Sequence, residues 1–324
     1  MKAVRIFVLL LTAVAMITVF PSTAHATFPG KNGRIAFARL DFTGRSLGLY
    51  TANPDGTDQR LLTGLPSSFS DWAPDGKRIA FDFFDSEGNE QIGTINSDGT
   101  DFKQITSGPG IHEAPTWSPD GSQIVFDYSP LLPVGPGFFT SIYVMNSDGS
   151  NPRLVTTTTD TFDVEPKFSP DGKQILFVRI RRDITTVDGL QFQAILVMNS
   201  DGSLVRQLTP WGVAEHPNWS PDNKWITFDE NTFFPNQEHP TIISSIFKVH
   251  PDGSNLEVVF NGENFKAVRN PAFSPDGNEL IFSHALDIWT LNIRTLKLTN
   301  VTKTGDFIET LGSWGIASDG PAKN

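Results

Sequence analysis

Short bursts of alternating apolar and polar residues run the length of the chain, and they keep one shape. R-I-A-F ends at Phe37 and again at Phe81, Q-I-V-F at Phe126, Q-I-L-F at Phe177, W-I-T-F at Phe228 and E-L-I-F at Phe282. Each burst is too short for a helix and follows a turn signal, so each predicts a strand. After an insert of variable length comes a second burst, as in "SIYVMNSDGS" (141–150), and then a third, as in "RLVT" (153–156). Together with the stretch that leads into Trp117, these bursts predict a four-stranded antiparallel meander with strands a, b, c and d in chain order.

The meander repeats. "TWSPDGSQIVF" from Thr116 has near-copies from Asp71, Lys167, Asn218 and Ala272, and the turn aspartates 75, 120, 171, 222 and 276 stand 45, 51, 51 and 54 residues apart. Four strands in a unit of that size predict a propeller blade. The strand-b Phe occurs six times, whereas the S-P-D-G turn occurs five times, because the first unit lacks its strand a. The C-terminal "IETLGSWGIAS" offers one, about Glu309 to Gly315, with Trp314 where the aromatic belongs. The expected fold is all-β: a six-bladed β-propeller of four-stranded antiparallel blades over residues 27–324. Its ring would be closed by a C-terminal strand completing the first blade, leaving no sheet edge at the seam.

The repeated turn reads as backbone architecture. Pro presets φ, Asp bonds its own backbone, and Gly takes a conformation that other residues resist. In the fourth copy Gly is replaced by Asn223, the residue next most tolerant of left-handed φ. The aromatics Trp72, Trp117, Phe168, Trp219, Phe273 and Trp314 read as packing between blades.

W-S-P-D-G followed by I-x-F, then I-Y-x-M-N-x-D-G and L-T, resembles the repeat of the TolB-like β-propellers over nearly the whole chain after residue 26. The resemblance implies a six-bladed fold, export to the periplasm or beyond, and a bias towards binding partners. The family's namesake carries an α/β domain before its propeller, whereas "TFPGKNGRIAF" is expected to enter the first blade directly.

Composition narrows the setting. The first residues combine Lys2 and Arg5, an apolar run from Ile6 to Phe20 and the small-x-small ending Ala24-His25-Ala26. They predict a signal peptide, 1–26, cleaved after Ala26; the alternative, an uncleaved anchor, has too short an apolar run. A secreted or periplasmic chain with no later transmembrane segment is expected. Cleavage would remove two of the 25 basic side chains and none of the 36 acidic ones, leaving a net charge of −13. So acidic a chain disfavours nucleic acid as a partner and tolerates a cationic ligand or metal. With no cysteine there are no disulfides or thiolate ligands, so burial of 26 Phe and 7 Trp must hold the fold together.

Strand order puts the uniform a–b and c–d turns at one end of every blade and the variable b–c and d–a connections at the other. The b–c segments 127–140, 179–193 and 229–242 are expected to be loops, where binding usually resides. They carry Phe138, Phe139, Phe192, Phe233 and Phe234, which read equally as partner anchors or as covers for blade edges. At the start of strand a lie His112, Glu113, Asp163, Glu165, Glu215, His216, Arg269 and Asn270, with Glu309 on the closing strand. Of these, His112, Glu113, Glu165, Glu215 and His216 are the candidate ligands for a divalent cation such as calcium in the channel. The bland alternative is a solvated, charged rim.

"GRSLG" (44–48) matches the nucleophile elbow but lacks the strand–turn–helix setting that motif needs. The expected function is non-enzymatic binding, by a monomer, of a protein or peptide through the variable face and channel mouth. The alternative is a secreted polysaccharide lyase or hydrolase with a metal at the mouth. Some TolB-like propellers, the oligogalacturonate lyases, place a His-bound metal and basic residues there. His112, His216 and Arg269, with the basic run Arg179, Arg181 and Arg182, would be its parts, set against the acidic excess.

Overall fold

The computed structural model describes residues 28–130, 139–157, 161–185, 191–234, 241–262 and 268–317. Among them every helix or strand is a β-strand. No helix among the described residues is long and apolar enough to cross a membrane. The expected signal segment and Phe138 lie outside the described residues.

The bursts become strands because one face of each can be buried on both sides. In the third unit, strand a is Ile111–Trp117, b is Gln123–Ser129, c is Ser141–Asn146 and d is Arg153–Leu154, each pairing antiparallel with the next. The strand-b phenylalanines Phe37, Phe81, Phe126, Phe177, Phe228 and Phe282 are all buried. Strands c and d follow in the same order in the other units, and d is short and exposed. In the first unit strand b is Asn32–Leu40, and its outer neighbour is Ile308–Ile316 from the far end of the chain, paired from Asn32↔Ile316 to Leu40↔Ile308. The C-terminal strand therefore lies where the sequence predicts it.

Among the described residues four sheets hold four strands each and a fifth holds eight, and no sheet closes on itself. The eight-stranded sheet arises because strand c of the second unit, Glu90–Asn96, meets strand a of the third through one parallel pairing, Glu90↔Ile111.

The units are welded by their first strands. Trp72, Trp117, Phe168, Trp219, Phe273 and Trp314 are each at most 4% exposed. A buried aromatic removes roughly 150–250 Å² from water, worth about 4–6 kcal/mol at ~25 cal/mol per Å². Polar links cross the same seams: the Trp117 N–H donates to Asp71 at 3.0 Å and the Trp72 N–H to Ser313 Oγ at 3.0 Å. The c–d turn glycines approach the neighbouring unit so closely that a Cβ on Gly149 would lie 2.1 Å from the Ile105 carbonyl oxygen. Gly56 of the first unit meets the Val301 carbonyl of the last unit in the same manner.

The S-P-D-G turns are as their residues dictate. Asp120 Oδ1 accepts from the Ser122 N–H at 3.0 Å, and Gly121 has φ +70°. Asn223 takes the glycine's place at φ +60°.

Two expected loops are largely strand. In the fourth unit strand b runs from Gln174 to Thr185 and strand c starts at Gln191; in the fifth, b runs from Ile226 to Phe234 and c starts at Thr241. The β-branched and aromatic residues of "RIRRDIT" and "ITFDENTFF" suit a two-stranded extension, so strand takes up much of the expected loop.

Candidate functional site

Four first strands share one irregularity. The ladder slips between Glu113 and Thr116, Val164 and Lys167, Glu215 and Asn218, and Arg269 and Ala272. Inside the slips, Ala114, Glu165, His216 and Asn270 have φ between +50° and +56°. Each precedes a proline, which has no N–H to give the ladder, so the strand bulges there.

Three of the bulge N–H groups reach a carboxylate of the preceding unit. Glu165 donates to Asp127 Oδ2 at 2.9 Å, His216 to Glu165 Oε2 at 3.0 Å, and Asn270 to Asp229 Oδ1 at 3.0 Å. In the second unit Asp82 Oδ1 takes the N–H groups of Ser68 and Phe69 at 2.8 and 2.9 Å. Such a backbone costs about 1–3 kcal/mol per residue, which a charge-assisted hydrogen bond of about 1.5–3 kcal/mol offsets.

Asp82, Asp127 and Asp229 each follow a strand-b Phe and are at most 2% exposed. Sequence reasoning passed over all three. The available signal was an acid placed beside the most buried Phe of a strand.

The bulges converge. Ala114, Glu165, His216 and Asn270, with Phe69 and Asn218, line a cavity of about 40 Å³. It has room for a few waters or an ion.

Two groups of potential ligands occur among the described residues: Glu215, His216 and Asp229, and Asp82, Glu90 and Glu113. The first contains its own cation. His216 Nδ1 lies 2.9 Å from Asp229 Oδ1, and Nε2 lies 3.6 Å from Glu165 Oε1. Burial alone would strip the proton from His216, but the carboxylates of Glu165 and Asp229 outweigh it and raise the imidazole to about 10. The second group has only acids. Burial, then the charges of Glu113 and Asp82, push Glu90 up to about 10, and burial lifts Asp82 to about 6.

The five expected metal ligands thus divide. Glu215 and His216 belong to one group and Glu113 to the other, while Glu165 pairs with His216. His112 joins neither: its Nδ1 is 3.1 Å from the Glu90 carbonyl oxygen, its ring is 4.7 Å from Tyr128, and burial lowers its pKa.

Among the expected partner-binding residues, Asp163 is fully buried in a two-pronged pair with Arg179 at 2.7 and 2.8 Å. Glu309 is buried too, accepting from Arg39 Nε at 3.0 Å, and the Arg39 guanidinium lies over Tyr50 at 4.4 Å. Arg269 is exposed, and Asn270, Phe139 and Phe192 are half-buried. Phe233 and Phe234 stand on strand b of the fifth unit, with side chains outside the described residues. Ser46 of "GRSLG" opens strand c of the first unit, with no helix after it.

The chain is similar to known proteins at two levels. A family profile described as the TolB beta propeller domain matches residues 32–255. A protein of Agrobacterium fabrum described as uncharacterized is 28% identical over 152 residues, 46% of this chain and 45% of that one. Among solved structures, the Kuenenia stuttgartiensis hydrazine synthase superposes with a TM-score of 0.69 at 16% identity, covering 87% of this chain and 46% of that one. TolB from Acinetobacter baumannii gives 0.61 at 19% identity, covering 92% and 67%. The matches thus span about half the length of the A. fabrum relative and of the synthase chain.

Proposed function

Because the chain belongs to the TolB β-propeller domain family, we propose that it is an exported, non-enzymatic propeller of six blades in a closed ring. It binds a protein or peptide through its variable hairpins and the axial mouth. The observation that carries this reading is the internal pairing of three sets of ionisable side chains near the first-strand ends. Asp163 holds Arg179, Glu309 holds Arg39, and His216 is held by Asp229 and Glu165. His112 and His216 belong to separate surroundings, which disfavours a metal held by both. A rigid scaffold with variable hairpins at one end suits recognition. Export rests on the N-terminal signal pattern and on the family resemblance.

The test is capture from an envelope extract of the producing cell by purified residues 27–324, against a Phe139→Ser/Phe192→Ser variant. Lost capture with an unchanged melting temperature supports binding through the hairpin end. Capture retained, or lost only along with stability, marks these aromatics as packing.

A further inference from the structure

Three other buried acids near the first-strand ends each face a cation: Glu309 has Arg39, Asp163 has Arg179, and Asp229 has His216. Asp82, Glu90 and Glu113 have one another. One oxygen from each lies within 4.8 Å of the other two, and Asp82 and Glu90 are 0% and 6% exposed. A group of buried carboxyls without a counter-charge is costly to ionise, because each charge would lose hydration that nothing replaces.

The cluster is built rather than incidental. Strand b of the second unit, Arg78–Phe84, carries Asp82; strand c carries Glu90; strand a of the third unit carries Glu113. The parallel pairing Glu90↔Ile111 fixes the two units together here, and the Glu90 N–H donates to the Gly110 carbonyl at 3.2 Å. Asp82 is pinned by its Oδ1, which accepts from Ser67 Oγ, Ser68 N–H and Phe69 N–H at 3.1, 2.8 and 2.9 Å. Its Oδ2 is buried and receives no donor. A fourth acid adjoins: Asp127 is the register partner of Glu113, and its Oδ1 is likewise buried without a donor.

We infer that Asp82, Glu90 and Glu113 form a calcium-binding site at the junction of the second and third units, with Asp127 beside it. The donors are all carboxylate oxygens, which selects a hard cation over zinc or copper. Two oxygens bound to one calcium at about 2.4 Å stand at most about 4.8 Å apart, a limit that the three oxygens here do not exceed. Water or a ligand carbonyl would complete the shell. Glu113 adjoins Ala114, which lines the axial cavity, so the ion would also reset the charge at the mouth. The inference does not depend on partner binding and differs from the five-residue set expected from sequence.

The experiment is calorimetric titration of chelator-treated protein with calcium chloride alone at neutral pH, with a thermal melt in parallel. Wild type is expected to give a single-site heat and a rise in melting temperature. Glu90→Gln should weaken calcium binding by at least about tenfold, with an apo melting temperature no lower than that of wild type. Glu113→Gln, at a half-buried position, repeats the measurement should Glu90→Gln fail to fold. Glu215→Gln, outside the cluster, should leave the calcium affinity unchanged. No heat and no thermal shift with millimolar calcium would overturn the site, as would equal binding by wild type and both cluster variants.

Discussion

His216 sits with its ring between Asp229 and Glu165, with Glu215 adjoining, and keeps its proton in the folded protein up to about pH 10. An unfolded histidine titrates near about 6.5. Between these values the native state binds the extra proton, so stability must fall as pH rises through the window. The contribution of the pair is complete below the unfolded value and lost towards the folded one. The gap in urea midpoint between wild type and His216→Gln is therefore expected to shrink steadily from pH 6.5 to pH 10. A gap that stays flat would mean that His216 is neutral when folded. The same residue illustrates why a bulge position need not be glycine: its backbone N–H, swung out of the ladder at φ +50°, finds Glu165 Oε2 at 3.0 Å.

At the scale of the element, the strand Ile308–Ile316 is held to Asn32–Leu40 by backbone pairing, by Trp314 and by one buried ion pair, Arg39–Glu309, with side chains 10% and 0% exposed. Truncating one partner of a buried pair leaves the other charge desolvated, at a cost of about 3–5 kcal/mol. Glu309→Ala should lower the unfolding free energy by about that much, whereas a loss under about 1 kcal/mol would mean that water reaches the pair. Strands and turns were legible in the sequence because each unit repeats them: the alternation before Phe126 and the Asn at position 223 each have one local explanation. The acid cluster was not. Asp82, Glu90 and Glu113 are spread over two units, and packing between those units, with the pairing Glu90↔Ile111, brings the last to the first two. Glu113 was noticed for its place at the start of a first strand, but Asp82 hid inside a strand that already had a structural reading. The hairpin extensions were missed for a related reason: charged residues on two-sided strands look like loop until a partner strand is supplied.

For the whole molecule, the contacts between units are as important as those within them. First strands touch in succession from Ser70–Trp72 to Val268–Phe273, and the C-terminal strand touches both the first and the last of that series. A chain ending before residue 306 would lose Trp314 and bare the edge of Asn32–Leu40. It is expected to lose its single cooperative melting transition, becoming broad or aggregating. A sharp transition in the truncated chain would show that the units hold without the seam.

The pairing of Phe37 with Leu311 also imposes an order in time. A chain delivered from its N-terminus can stack its middle units as they emerge, but the first sheet must wait, one strand short, until nearly all the sequence has arrived. The slowest step of maturation is then the last one, a stitch between the two ends, and an edge strand left open until that moment is where a holdase or a neighbouring chain would intervene.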